Sequence, residues 1–387
     1  MIKMLFICYF YYFCAFLPNL SSRMINKPAC ISAHISRTLL GLVFLFSGSV
    51  KAIDPLGTTY KIEDYLKAFG GFFTDFIPMA QTAAFVLIGL EFVLGVCLVL
   101  NIRPQWTSWL TLVFYAVMTP LTLYIAIKNP VSDCGCFGDA VILTNWQTFW
   151  KNVVLLILVI LWLFTKKHAP GRWVWLAELV ITLLAAGAVT CFMLWTLHHL
   201  PVADFRPFKT GNYLPALMEY PEDAERDEYE VTLVYEKDGK EQTFTLENYP
   251  KGDSTWTFVS QQSKLIKKGY EPPIHDFDIL NAEDENITYD LLESEEPVTL
   301  IVMYDLNKTE NGSLDRIAAL PVQNRYFVTG SGTDGILAFC LLHPQFDAED
   351  FCTCDPVTLK TIVRANPGIV VIKNGIVQKK LNARDLQ

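Results

Sequence analysis

The stretch "RTLLGLVFLFSGSVKAIDPLG", residues 37–57, decides the fold class. Between Arg37 and Lys51 it carries no charged side chain, and most of its residues are apolar. A helix of about 20 mostly apolar residues is long enough to cross the hydrocarbon core of a bilayer. The stretch therefore predicts a membrane-spanning helix over residues 35–53.

Composition extends this prediction to the whole first half of the chain. Of 387 residues, 52% are hydrophobic and only 18% are charged, which excludes an ordinary soluble protein. Four further apolar segments are long enough to span a membrane, at residues 78–100, 106–127, 149–164 and 174–197. The sequence thus predicts a multi-pass helical membrane bundle of five spans.

The second half of the chain has a different character. Residues 198–387 carry 18 basic and 32 acidic side chains, a net charge of −14, which leaves +5 for the first 197 residues. The predicted partners are the lipid bilayer and an extracytoplasmic client or redox protein, and no nucleic acid. The acidic half is expected to form folded domains outside the bilayer.

Basic residues of the short loops predict the orientation, because cytoplasmic loops are rich in Lys and Arg. They fall before the first span, between the second and third, and between the fourth and fifth: Arg23, Lys27, Arg37, Arg103, Lys166, Lys167 and Arg172. We therefore expect an inner-membrane protein with a cytoplasmic N-terminus and a periplasmic C-terminal half. Residues 1–33 are either a leader or a cytoplasmic tail, with Met24 as an alternative start.

Two C-x-C pairs stand out among the ten cysteines, at "DCGCFGD", residues 133–139, and "FCTCDP", residues 351–356. Both pairs are predicted to face the outer compartment, where disulfides persist. A C-x-C disulfide closes a very small ring and should be easy to reduce, and Gly135 eases the backbone geometry. Against this, Asp133 and Asp139 are expected to raise the thiol pKa. A redox pair, a structural disulfide or turn, and a metal site remain open for Cys134 and Cys136, although no histidine is near and no metal is predicted.

The second pair, Cys352 and Cys354, precedes a predicted helix in "DPVTLKTIVRAN". A thiol at a helix N-terminus has a lowered pKa, which favours a reactive thiolate there. A plain disulfide with Cys340 is the alternative.

Glu91 lies midway along the second predicted span, where an ionised carboxylate is costly. Lys51, at the outer end of the first span, can either point outward or turn inward to meet it. Glu91 is then either a buried polar contact between helices, with Ser47 as one candidate partner, or a proton-handling group beside a redox loop or a quinone pocket.

These features together resemble the MauE branch of the DoxX-like membrane proteins. The likeness covers residues 34–165 and rests on "RTLLGLVFLFSGSVKAIDPLG", "LIGLEFVLGVCLVL" and "DCGCFGD". It implies a four-helix membrane domain, a part in maturing a disulfide-rich partner protein, and a link to thiol and quinone redox chemistry. The fifth span, within residues 166–200, and the acidic half lie outside it.

The outer half predicts two modules. Residues 201–270 form a small antiparallel one, with a hairpin around Asp238 and Gly239 in "YEVTLVYEKDGKEQTFTLENYP" and a third strand in "STWTFVSQQSKLI". Residues 271–387 read as strand, helix, strand, helix, strand, strand, which resembles the thioredoxin fold with Pro367 at its cis-proline position. The usual active-site cysteines are missing from "MYDLNKTENGSL", residues 303–314.

Two functional hypotheses follow. In the first, the protein is a membrane thiol:disulfide or quinone-linked oxidoreductase that uses Cys134, Cys136, Cys352, Cys354 and Glu91. In the second, it is a non-enzymatic membrane anchor whose silent thioredoxin-like domain binds a client.

Overall fold

The computed structural model describes residues 28–386, apart from 132, 169–170, 172, 222, 227, 238, 254, 268 and 321–323. The chain divides between Phe205 and Arg206 into a helical unit and a unit that contains sheets. The predictions for Met24, for the basic residues Arg23, Lys27 and Arg172, and for Asp238 in the hairpin turn lie outside the described residues.

Within its described residues, the first unit has five helices that are long and apolar enough to cross a membrane, so the chain is a multi-pass membrane protein. These spans cover Cys30–Ile53, Gly71–Leu100, Pro104–Lys128, Asn145–Thr165 and Trp175–His198. The α-helices that form them are α1 (Pro28–Ile53), α3 (Ala80–Leu100), α4 (Pro104–Lys128), α5 (Asn145–Thr165) and α6 (Trp175–His198). A 3₁₀ segment, Gly71–Met79, leads into α3. The number of spans and their places confirm the prediction.

The ends of these helices follow from local chemistry. Helix α5 begins earlier than its apolar run because Thr144 and Gln147 form a capping box, in which each side chain pairs with the other's backbone N–H. Helix α4 begins with Pro104, whose missing N–H costs nothing at the first position of a helix.

Close packing of α1 against α3 forms the centre of the bundle. A Cβ atom on Gly48 would lie 2.7 Å from the backbone nitrogen of Phe92, and one on Gly95 would lie 2.6 Å from that of Leu45. Small residues let two membrane helices approach in this way. Leu40, Phe44, Leu98 and Trp162 fill the adjoining core.

One helix of this unit was not predicted. Helix α2 (Pro55–Phe69) follows α1 directly, and its N-cap is Asp54, whose side chain accepts a hydrogen bond from the Gly57 N–H at 2.9 Å. It ends at Gly70, where φ is +65°. Because polar and apolar residues are mixed along this segment, it was predicted to be a loop.

The second unit contains two sheets. The first is antiparallel, with strand order β2-β1-β3, and consists of β1 (Glu228–Lys237), β2 (Lys240–Thr245) and β3 (Thr257–Lys267). Its hairpin and third strand agree with the prediction. A short helix, α7 (Leu214–Met218), precedes it.

The second sheet has five strands in the order β6-β5-β4-β7-β8. They are β4 (Val298–Met303), β5 (Arg325–Thr329), β6 (Phe351–Thr353), β7 (Gly368–Lys373) and β8 (Ile376–Asn382). Strands β4, β5 and β6 pair in parallel, whereas β4, β7 and β8 pair in antiparallel fashion. The peptide bond before Pro367 is cis.

Four short helices surround this second sheet: α8 (Thr288–Glu293), α9 (Leu314–Ala318), α10 (Thr333–Leu342) and α11 (Pro356–Ile362). Helix α10 and the three-residue strand β6 were not predicted, and α9 is shorter than expected. The final hairpin turns at Asn374 and Gly375, both with positive φ, as the Asn-Gly pair predicts. The likeness to thioredoxin stays a prediction.

Candidate functional site

A buried ion pair joins α1 to α3. Lys51 Nζ lies 2.6 Å from Glu91 Oε1, and the two side chains are only 7% and 5% exposed. The inward orientation of Lys51 is therefore the correct alternative of the two considered. Either charge would be costly to bury alone, so each side chain depends on the other staying within ion-pair distance.

Ser47 connects this ion pair to the loop that carries the first C-x-C pair. Its Oγ lies 2.7 Å from Glu91 Oε2 and 2.8 Å from the carbonyl oxygen of Cys136, and its hydroxyl proton can be donated to either acceptor. The hydroxyl group of Ser47 thus bridges the carboxylate of Glu91 and the backbone of the loop.

Cys134 and Cys136 lie close together in a tight turn of this loop. Their sulfur atoms are 2.9 Å apart, and both cysteines are thiols in this structure. Gly135 has φ of +63° and Gly138 has φ of +54°, in a region that favours glycine. A Cβ on Gly135 would also press against Lys61 Cγ at 3.1 Å. The sequence C-G-C-F-G therefore brings two sulfur atoms almost to bonding distance.

Helix α2 holds the loop from its other side. Lys61 Nζ lies 2.6 Å from Asp133 Oδ2, and Tyr65 donates a hydrogen bond to the carbonyl oxygen of Cys134 at 2.9 Å. The second carboxylate oxygen of Asp133 accepts a hydrogen bond from the Gly135 N–H at 2.9 Å. Lys61 and Tyr65 are one helical turn apart, so a single face of α2 makes both contacts.

A second lysine lies near the loop on α5. Lys151 Nζ is 4.4 Å from the ring centre of Phe137, which follows Cys136 directly. Phe137 in turn packs edge-on against Phe46 of α1. These contacts place a positive charge beside the pair of thiols.

The two thiols differ in pKa. The hydrogen bond between the two thiols lowers the pKa of Cys136, and the positive charges of Lys151 and Lys51 lower it further against the opposing effect of burial. The same hydrogen bond raises the pKa of Cys134, and burial adds to the rise. Cys136 is therefore the sulfur that ionises first.

This result corrects the prediction that Asp133 and Asp139 would raise both thiol pKa values. For Cys136 the predicted direction is wrong. The charge of Asp133 is compensated by the ion pair with Lys61 and by the hydrogen bond from the Gly135 N–H. The charges of Lys151 and Lys51, in contrast, favour the thiolate of Cys136.

The second C-x-C pair has different surroundings. Cys352 lies in β6 and Cys354 just after it, and both are buried. Burial, together with nearby carboxylates, raises the pKa of Cys352 to about 11 and that of Cys354 to about 12. The prediction of a lowered pKa at this helix N-terminus is wrong, because burial is the largest cause of the rise at both thiols, and the charge of the N-cap residue Asp355 adds to it at Cys354.

Two alternatives to a redox pair were a disulfide with Cys340 for the second C-x-C pair and a metal site for the first. Cys340, the other candidate partner, is a free thiol like Cys352 and Cys354. Within the described part of the chain, no group of three or more His, Cys, Asp or Glu side chains is arranged to hold a metal ion.

Comparison with known proteins agrees with the membrane part of this description. Residues 29–165 match the family model of the methylamine utilisation protein MauE. This MauE-type region contains α1 to α5 and therefore the Lys51–Glu91 pair and the C-G-C loop. Residues 229–268, which form the three-stranded sheet, match a domain of unknown function, DUF8463. No curated protein and no solved structure matches the chain.

Three residues of this site were not found from the sequence: Lys61, Tyr65 and Lys151. The signal available for the first two was their i, i+4 spacing, which places them on one face once α2 is known to be a helix. Nothing local marks Lys151, because its contact with the loop depends on how α5 packs.

Proposed function

We propose that the MauE-type region is a membrane-embedded thiol:disulfide exchange site that acts on a protein outside the cytoplasm. The observation that carries the proposal is the pair of sulfur atoms 2.9 Å apart, with the positive charges of Lys151 and Lys51 acting on Cys136. A structural turn would not need positive charges that stabilise a thiolate.

The proposed reaction begins with the Cys136 thiolate attacking one sulfur of a disulfide in the partner protein. A mixed disulfide forms, and the partner's other sulfur leaves as a thiolate. Cys134 then gives up its proton to that thiolate and attacks the Cys136 sulfur. This attack breaks the mixed disulfide and releases the partner's remaining sulfur as a thiolate, which takes up from solvent the proton that Cys136 lost on ionising. The partner has then gained two electrons as a dithiol, and Cys134 and Cys136 have become a disulfide. The reverse reaction oxidises a partner dithiol with the same residues.

Lys51, Glu91 and Ser47 support this exchange from inside the membrane. Lys51 lowers the energy of the Cys136 thiolate by its charge, and Glu91 fixes Lys51 through the 2.6 Å ion pair. Ser47 fixes the backbone of Cys136. Glu91 is thus a positioning residue in this proposal, since its contacts are with Lys51 and Ser47.

Cys352 and Cys354 have a smaller part in this proposal. Their raised pKa values make them poor attacking groups, although a disulfide formed between them would still accept electrons. The second unit is better suited to binding the partner protein, since "MYDLNKTENGSL" lacks the cysteines of an active thioredoxin.

The direct test uses the full-length protein in detergent, in a variant that keeps Cys134 and Cys136 and replaces the other eight cysteines with serine. The protein is equilibrated in a series of glutathione redox buffers, the free thiols are trapped with a maleimide, and the mass shift is read. We expect the two thiols to interconvert together between the reduced and the disulfide form. If they stay in one state throughout the series, the proposal fails.

A pH profile tests the inequality of the two sulfurs. In that background, the alkylation midpoint of Cys136 in the variant Cys134→Ser should lie at a lower pH than that of Cys134 in the variant Cys136→Ser, because the charge of Lys51 acts on Cys136. Removing the positive charge by Lys151→Met should move the midpoint to higher pH, because the thiolate loses a stabilising charge. Lys128→Met, at the exposed end of α4, is the matched control and should leave the midpoint unchanged. Equal midpoints for Lys151→Met and its parent would contradict this role.

A further inference from the structure

A basic cavity lies at the end of the bundle opposite the C-G-C loop. Helices α4 and α5 each run from one end to the other, so the start of α4 and the end of α5 share this position. The cavity has a volume of about 590 Å³ and is lined by Arg103, Gln105, Trp106, Lys166, Lys167 and Glu178, among others. It takes no part in the proposed exchange reaction.

The cavity has an excess of positive charge. Its carboxylate, Glu178, is already occupied: Oε2 lies 3.0 Å from Arg103 Nε, and Oε1 accepts a hydrogen bond from the Arg103 N–H at 3.3 Å. Lys166 donates to the neutral hydroxyl of Ser108 at 2.8 Å, and Lys167 is exposed. In the part of the chain that the structure describes, neither lysine is in an ion pair with a carboxylate.

The cavity also lies where three spans end. Its lining includes Pro104 at the start of the third span, Lys166 directly after the fourth, and Glu178 in the first turn of the fifth. The end of a membrane span lies at the depth of the lipid headgroups. Trp106 lines the cavity, and Lys166 Nζ, another lining group, is 5.6 Å from the ring centre of Trp109; the two tryptophans are 68% and 57% exposed. Tryptophan side chains concentrate at this depth in membrane proteins because one edge of the ring is polar.

We propose that this cavity binds the phosphate-bearing headgroup of an anionic phospholipid. Arg103, Lys166 and Lys167 would face the phosphate, Gln105 offers a neutral donor, and the tryptophans would contact the glycerol and upper acyl chains. Basic cavities between membrane helices are known to hold anionic headgroups through charge-assisted hydrogen bonds. A free phosphate ion would bind through the same charges, but it has no glycerol or acyl chain to contact a tryptophan ring.

The test measures lipid retained by the full-length protein in native mass spectrometry after exchange into detergent with defined lipid. Phosphatidylglycerol should be retained at least fivefold better than phosphatidylcholine. The double variant Lys166→Ala/Lys167→Ala should lose this preference, whereas Lys128→Ala, at the other end of α4, should keep it. Equal retention of the two lipids by the parent protein, or loss of the preference in Lys128→Ala, would overturn the proposal.

Two further arms separate the alternatives. Inorganic phosphate at millimolar concentration should not displace phosphatidylglycerol, and displacement would assign the cavity to a free anion instead of a lipid. The single variant Lys167→Ala guards against misfolding, since its side chain is exposed and its loss should lower retention while the melting temperature stays that of the parent. Unchanged retention in both variants would overturn the proposal.

Discussion

Lys51 and Glu91 form a buried pair whose two members cannot be removed independently. Glu91→Gln leaves the ammonium of Lys51 buried without a counter-charge, and we expect a loss of about 3–5 kcal/mol in the free energy of unfolding. The double variant Lys51→Met/Glu91→Leu should recover most of that loss, because neither charge is then left alone. Unfolding of the purified protein in mixed detergent micelles measures both effects. A double variant as unstable as Glu91→Gln would contradict this account.

The matched control for that experiment is an exposed ion pair on α2. Lys67 and Asp64 are 4.0 Å apart, and their side chains are 56% and 53% exposed. Asp64→Asn should therefore change the stability by about 0–1 kcal/mol, because water already solvates both charges.

The sequence could indicate Glu91, Lys51 and the two loop cysteines because each is unusual where it stands. A carboxylate inside an apolar span and a C-x-C in a short loop are local anomalies, and local anomalies are visible without a structure. Lys61, Tyr65 and Lys151 are ordinary residues in ordinary segments. Only the folding of α2 and α5 around the loop gives them a role, and that information is tertiary.

The approach of α1 to α3 sets the geometry on which the ion pair depends. Gly48→Ala would place a Cβ 2.7 Å from the backbone nitrogen of Phe92, so the two helices would have to separate. We expect a loss of about 1–3 kcal/mol, the usual cost of overpacking, and a lower melting temperature. Gly89→Ala on α3 is the control, because nothing lies within 4 Å of its added Cβ. Equal losses in the two variants would show that the contact does not govern stability.

The difference between local and tertiary information also explains which helices and strands could be predicted. The five spans and every strand except β6 follow from apolar length and from alternation, which are properties of single segments. Helix α10 escaped prediction because its ten residues, "TDGILAFCLL", form a short apolar run that periodicity alone cannot assign. Strand β6 has three residues and exists through its pairing with β5.

Two spans, the fourth and the fifth, lie between the loop of residues 129–144 and the second unit along the chain. If all five helices cross the bilayer, the loop of residues 129–144 and the unit of residues 206–387 face the same compartment, whereas Lys167 faces the other. The basic residues Arg103, Lys166 and Lys167 predict that this other compartment is the cytoplasm. The thiol exchange proposed here requires that arrangement, because its partner disulfides persist only outside the cytoplasm.

Single cysteines placed in a cysteine-free background test this topology. Val141→Cys and Tyr289→Cys, at side chains that are 42% and 56% exposed, should react with a membrane-impermeant maleimide in intact spheroplasts. Lys167→Cys should be protected there and should react in inverted vesicles, because its compartment is then turned outward. The three signals together count the crossings. Labelling of Tyr289→Cys and Lys167→Cys from one side would mean that α6 does not cross the bilayer. Labelling of Val141→Cys only in inverted vesicles would place the C-G-C loop in the cytoplasm and rule out the proposed exchange with an extracytoplasmic protein.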